Sequence, residues 1–258
     1  MIRFRFELLP VDEVCPWGPA GSQHLHWFAL TEGWFCLEVG GIELLRYTEQ
    51  TMASFPRESH RTAPPWVGYY VVRLWEDILE ALPFILEPVP DDLAEFVAAG
   101  SAEWVDTDEV LDNMRLDAAY DFHSQRCIDT GYLRFGPVLR WWRSVDPVDT
   151  VTVAWQFPVD PDGEIAFTAP LSGQVSVGTD EFIDAVTDFD YRLFEFMQQR
   201  VDRLAATGAP AGIELDTALL IQEQAQRRTL LARALAHQVG ADWDAVREGV
   251  PILAPHQR

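Results

Sequence analysis

Residues 126–143 gather four arginines, Arg126, Arg134, Arg140 and Arg143, around one acid, Asp129, in a chain whose formal net charge is -22. A guanidinium stays charged and presents a planar fork of N–H donors, so such an island can clamp a carboxylate or phosphate at two points. In the run Val138–Val145, strand alternation sends Arg140 and Trp142 to one side and Trp141 and Arg143 to the other, which opens guanidinium–indole stacking on both. Arg126, Asp129, Tyr132, Arg140 and Trp142 are therefore the candidate ligand-binding residues. The competing reading is that these arginines stack on tryptophan and pair with acids from elsewhere in the fold.

Two further sets of residues could do chemistry. His24 and His26 alternate onto one face of an expected strand, the arrangement by which paired imidazoles bind zinc. A zinc site needs more ligands, and His60, His123, His237 and His256 stand alone in the sequence, so His24 and His26 are only weak metal candidates. Asp184, Asp188, Glu195 and Asp202 recur at helical spacing and sum into one negative field, suited either to docking a basic partner or to simple solvation.

Composition removes other chemistries. All 19 basic residues are arginine. Without lysine there is no amine for a Schiff base or pyridoxal-phosphate chemistry, and neither the Walker phosphate loop nor the protein-kinase fold can be complete. No glycine-flanked serine elbow and no glycine-rich dinucleotide loop occurs, and the turn at Asp160–Glu164 lacks the third acidic position and the terminal glutamate of a calcium loop. No cofactor is implied. Three widely spaced cysteines, Cys15, Cys36 and Cys127, indicate neither a disulfide framework nor a zinc knuckle, and fit a reducing cytoplasm. The first residues lack the basic-then-apolar order of a secretory signal, and no apolar run reaches the length of a membrane span. The acidic balance makes nucleic acid and anionic membranes poor partners.

The elements that must position these residues follow from periodicity. Residues 2–8 alternate as a half-buried strand, and the runs Leu25–Leu30 and Trp34–Val39 read as a hairpin around Thr31 to Gly33, followed by a third strand over Ile42–Tyr47. Residues 50–68 read as a long surface connection. A helix from Tyr70 is expected to end at Leu82, before Pro83, followed by helices over Asp91–Ala99 and about 107–125. Strands are expected at Tyr132–Phe135, Val138–Val145, Thr150–Phe157, Glu164–Thr168 and Gly173–Val177. Thr179 should cap a long helix whose inner stripe is Phe182, Val186, Phe189, Leu193, Phe196 and Met197, with further helices over roughly 214–238 and 242–248.

The stretches LHWFALTEGW at 25–34, GIELLRY at 41–47, DTGYL at 129–133 and DFDYRL at 188–193 resemble a family of uncharacterised actinobacterial proteins. The resemblance spans most of the chain and rests on aromatic and turn residues. It implies a bacterial cytoplasmic origin and carries no mechanism.

These observations predict an α+β fold, with antiparallel sheets packed against helices and a helical C-terminal segment. One domain over 1–258 is expected, the alternative being two lobes, 1–178 and 179–258. The favoured function is a non-catalytic protein-binding role of immunity or regulatory type toward a basic protein, through the acidic helix face. The alternative is a small-molecule enzyme or binding protein with an arginine and aromatic anion pocket. Mimicry of a nucleic-acid polyanion is a third class.

Overall fold

The computed structural model describes residues 1–55, 63–100, 104 and 114–254. In chain order the elements are β1 (Ile2–Leu8), β2 (His24–Leu25), β3 (Glu32–Val39), β4 (Ile42–Glu43), α1 (Glu49–Ser54), β5 (Val67–Tyr70), α2 (Val71–Leu86), α3 (Asp91–Ala98) and α4 (Met114–Ser124). They continue with β6 (Cys127–Asp129), β7 (Val138–Ser144), β8 (Thr150–Gln156), β9 (Ser172–Gly178), α5 (Thr179–Thr207), β10 (Glu214–Leu215), α6 (Thr217–Arg227), α7 (Leu230–Ala236) and α8 (Trp243–Leu253). The fold is α+β with antiparallel sheets and a helical C-terminal segment. No helix among the described residues is long and apolar enough to cross a membrane.

The first sheet is built on β3, which pairs antiparallel with β1 along its whole length and with β5 and β4 on its other edge. The expected hairpin around Thr31 to Gly33 does not form. Of the first run only Leu25 is strand, which together with His24 pairs in parallel with β10, while Ala29–Thr31 is a 3₁₀ turn closed by the Thr31 hydroxyl donating to the Phe28 carbonyl. Gly33 is instead an in-strand residue opposite Leu8, where a Cβ would collide with the Glu7 carbonyl, so the sheet needs glycine there. The tight reversal falls at Gly40 and Gly41, both at positive φ, as a two-residue hairpin turn demands. Within the expected connection 50–68, a short helix, α1, is capped by the Thr48 side chain and β5 begins at Val67, while residues 56–62 lie outside the described residues.

α2 runs a turn past its expected end. Pro83 deletes one backbone hydrogen bond, but Leu82 and Ile85 are fully buried on either side of it, and that packing holds the last turn to Leu86. The helix expected from about 107 is described from Met114 as α4, and residues 105–113 lie outside the described residues.

The second sheet has the order β6-β7-β8-β9, antiparallel throughout. Its two faces serve different cores. Ile128, Leu139, Trp141, Val151, Val153 and Trp155 face the main core shared with the first sheet, α2 and α5, whereas Trp142 and Ala154 face a second cluster built with α3, α4 and α8. The alternation expected for Arg140 to Arg143 is thus realised. Tyr132–Phe135 and Glu164–Thr168 are not strands: the first is a tight turn in which Leu133 N–H donates to the Thr130 carbonyl, and the second makes only a single bridge, Tyr47 to Phe167.

On α5 the inner stripe is Phe182, Val186, Phe189, Leu193, Phe194 and Met197, with Phe196 left 46% exposed. The cap is Gly178, and the Thr179 hydroxyl donates to Asp149 instead of accepting from the helix's own amides. One apolar cluster draws residues from Ile2 to Leu231, on both sides of residue 178.

Candidate functional site

β6 and β7 pair with Cys127 opposite Arg140 and Asp129 opposite Val138. Directly opposed side chains stand on the same face with Cβ atoms about 5 Å apart, so the thiol and the guanidinium are neighbours by register. On β8 the residue opposite Arg140 is Ala154, whose small side chain leaves room, and Gln156 lies opposite Val138. Gly100, Trp104 and the end of α4 lie across from this face. A cleft of about 980 Å³ remains between them, lined by Arg140, Cys127, His123, Asp129 and Gln156 and by the apolar side chains of Trp104, Tyr120, Leu133, Phe135 and Phe157.

The four arginines of the cationic island meet different fates. Arg126 is 1% exposed, bridges to Glu87 at 2.8 Å, donates to the Phe122 carbonyl and lies over the Phe122 ring. The other oxygen of Glu87 accepts the Ala241 N–H, so this ion pair buckles the ends of α2 and α4 to the segment before α8. Arg134 pairs with Glu164 at the surface, and Arg143 makes a two-point pair with Asp149 and donates to the Leu86 carbonyl. Arg140 is 7% exposed and donates through Nε to the Ala98 carbonyl at 3.0 Å, and among the described residues no carboxylate pairs with it. Burial pushes its pKa below the ordinary arginine value. Three guanidinium groups thus have counter-ions, and among the described residues the one facing the cleft has none.

The remaining sequence candidates are dispersed. Asp129 is exposed, accepts the Gly131 N–H in a local turn and borders the cleft. Tyr132 turns away, stacks on Tyr69 at 4.8 Å and lines a separate groove of about 610 Å³ with Trp17, Phe28 and Tyr70. Its neighbour Asp77, bridged to Arg73 at 3.0 Å, is pushed up to about 6 by burial. Trp142 is buried in the second core cluster on the Arg140 face and does not line the cleft. The His24 and His26 rings lie 5.6 Å apart, with His26 edge-on to Trp17 and its Nδ1 accepting the Ala29 N–H. Burial, then the proximity of His24, lowers the His26 pKa. Among the described residues, no three His, Cys, Asp or Glu side chains gather to hold a metal ion.

A pair in the cleft that sequence reasoning missed is His123 with Cys127. The His123 Nε2 lies 3.2 Å from the Ala99 carbonyl, which can only accept, so Nε2 carries the proton and donates. That leaves Nδ1 as an acceptor, 3.3 Å from the Cys127 sulfur. The ring is held edge-on by Trp104 at 4.6 Å and Phe96 at 5.5 Å. Burial raises the thiol to about 12 and lowers the imidazole to about 4, the latter aided by the charges of Arg140 and Arg126, so both groups are neutral at pH 7. A His and a Cys four residues apart were visible in the sequence, but the helix ends at Ser124 and periodicity could not orient residue 127.

Asp184, Asp188, Glu195 and Asp202 are all exposed on α5. Asp188 is bridged to Arg192 at 2.8 Å, and Asp202 accepts from Gln198. Tyr191, 66% exposed, falls within this line on a 100° step.

The chain belongs to a family of unknown function, DUF5984, which matches residues 3–249. No curated protein and no solved structure matches it.

Proposed function

We propose that this member of a family of unknown function binds a small organic anion, a carboxylate or phosphate ester with an apolar body, in the cleft beside Arg140. The observation that carries the reading is that, of the four arginines of the island, Arg140 is the one that pairs with no carboxylate among the described residues. A buried cation without an anion is costly, and folds either pair such a group or use it on a ligand. Concave, mostly apolar clefts with a few polar groups are the usual form of small-ligand sites, and Trp104, Phe135 and Phe157 supply the apolar walls. The free thiols Cys15, Cys36 and Cys127 suit a reducing, cytoplasmic setting.

The test is a thermal melt of the whole chain with benzoate, phenyl phosphate or inorganic phosphate at constant ionic strength. A ligand at about ten times its Kd adds roughly 1.4 kcal/mol, which at this chain length raises Tm by about 3–6 °C. The expected result is a shift with the aryl anions that disappears in Arg140→Met. A shift that survives this substitution places the anion elsewhere and overturns the reading.

A second reading, docking of a basic protein on α5, is favoured by one observation. Tyr191 stands exposed within the line of Asp184, Asp188, Glu195 and Asp202, and an aromatic anchor among charges is a common form of interface centre. It predicts salt-sensitive association with a cationic protein that Tyr191→Ala weakens while the aryl-anion shift is untouched.

A further inference from the structure

We propose that Cys127 is a nucleophile and His123 its general base, and that the cleft transfers the acyl group of small esters or amides that carry a second, anionic group held by Arg140. The proposal rests on the anion-binding reading and adds reactivity to it.

Three features support it. The dyad has the order that activated nucleophiles require: a thiol within reach of a base, and a base oriented by a third group. Here these are the Cys127 sulfur, His123 Nδ1 at 3.3 Å, and the Ala99 carbonyl that accepts from Nε2. The register then places the thiol beside the guanidinium, so an anion on Arg140 brings the rest of its molecule against the sulfur. Finally, all three side chains line one cleft.

Other uses of Cys127 fit less well. No third ligand joins it for a metal among the described residues, and Cys36 is buried in β3 while Cys15 is exposed in the segment between β1 and β3.

The chemistry balances with water as the only co-reactant. The sulfur adds to the carbonyl carbon while its proton moves to Nδ1, and the carbonyl electron pair shifts to oxygen. Collapse re-forms the carbonyl and breaks the bond to the alcohol or amine, which leaves with the proton from Nδ1. Water, deprotonated by Nδ1, then attacks the thioester and returns the thiol with the acid.

Burial first, and then the positive charges of Arg140 and Arg126, depress the basicity of His123, while the Arg140 charge also draws the burial-raised Cys127 thiol back down. Both groups of the dyad are neutral at pH 7.

The test compares iodoacetate with iodoacetamide as alkylating probes of the full chain at pH 7.5, with labelling at each cysteine followed by mass spectrometry. An ordinary thiolate, itself negative, prefers the neutral reagent, and exposed Cys15 serves as that internal standard. At Cys127 the expected order is reversed, with iodoacetate at least about tenfold faster, a preference of about 1.4 kcal/mol in barrier. Benzoate should block iodoacetate, Arg140→Met should restore the ordinary preference, and His123→Gln should slow both reagents about tenfold or more. Absence of the reversal, or its survival in Arg140→Met, overturns the proposal, and the benzoate competition decides this in the wild type even where a variant fails to fold. An Arg140-dependent melting shift with an unreactive Cys127 removes the nucleophile and leaves the binding site standing. Loss of both removes the anion site itself.

Discussion

Replacing Arg140 and Arg126 separately with methionine distinguishes a cation kept for a ligand from one kept for the fold. Both side chains are more than nine-tenths buried, at 7% and 1% exposure. Removing Arg126 strands the Glu87 carboxylate, whose side chain is 11% exposed and retains only the Ala241 N–H. Breaking a buried pair in this way costs about 3–5 kcal/mol. At roughly 2–4 °C per kcal/mol for a chain of this size, Tm should fall by about 6–20 °C. Removing Arg140 deletes one hydrogen bond to the Ala98 carbonyl, a charge-assisted bond of the kind worth about 1.5–3 kcal/mol. It also releases the penalty of a buried charge that no carboxylate among the described residues offsets, itself several kcal/mol. The two effects oppose, and the net change should stay within about 1 kcal/mol, or about 4 °C in Tm. The assay is thermal or urea unfolding of both variants beside the wild type, in ligand-free buffer and again with benzoate. Only Arg126→Met should retain a benzoate shift. Equal destabilisation by the two substitutions would make Arg140 a structural cation and overturn its assignment to a ligand.

Two further outcomes follow from the packing and electrostatics of the fold. Burial holds the Asp77 pKa at about 6 against an ordinary 3.8, so between those values the folded chain binds a proton that the unfolded chain has lost, and stability falls as pH rises through that window. Asp77→Asn should therefore raise stability at pH 7 by up to about 3 kcal/mol, with the gain vanishing below about pH 4, as read from melts across pH. A pH-independent effect would contradict the assignment. Gly33→Ala should cost about 3 kcal/mol or more in urea unfolding, because its Cβ meets the Glu7 backbone rather than a yielding side chain.

Patterns that depend on neighbours in sequence were legible from the chain alone. The period-2 run of β1, the helical stripe of α5, and the sending of Arg140 and Trp142 to one face with Trp141 to the other all follow from local geometry. The α+β class and the helical end follow from the order of those periods. Where a local signal failed, a tertiary term outweighed it: buried Leu82 and Ile85 carry α2 through Pro83, and β1 takes the place beside β3 that the Leu25–Leu30 run was expected to fill.

The site lay on the other side of that divide. The cationic island at 126–143 was visible in the sequence, but which arginine would lack an acid was not. Glu87 lies 39 positions from its partner Arg126, and no spacing rule joins them. The pairing of Cys127 with Arg140 depends on strand register, and the approach of His123 to Cys127 depends on how the chain turns after Ser124. Sequence alone determined which residue types could recognise an anion and which face of the strand they occupy. Tertiary structure decided which charge is neutralised and which thiol meets a base, because counter-ions and catalytic partners are chosen by proximity in space.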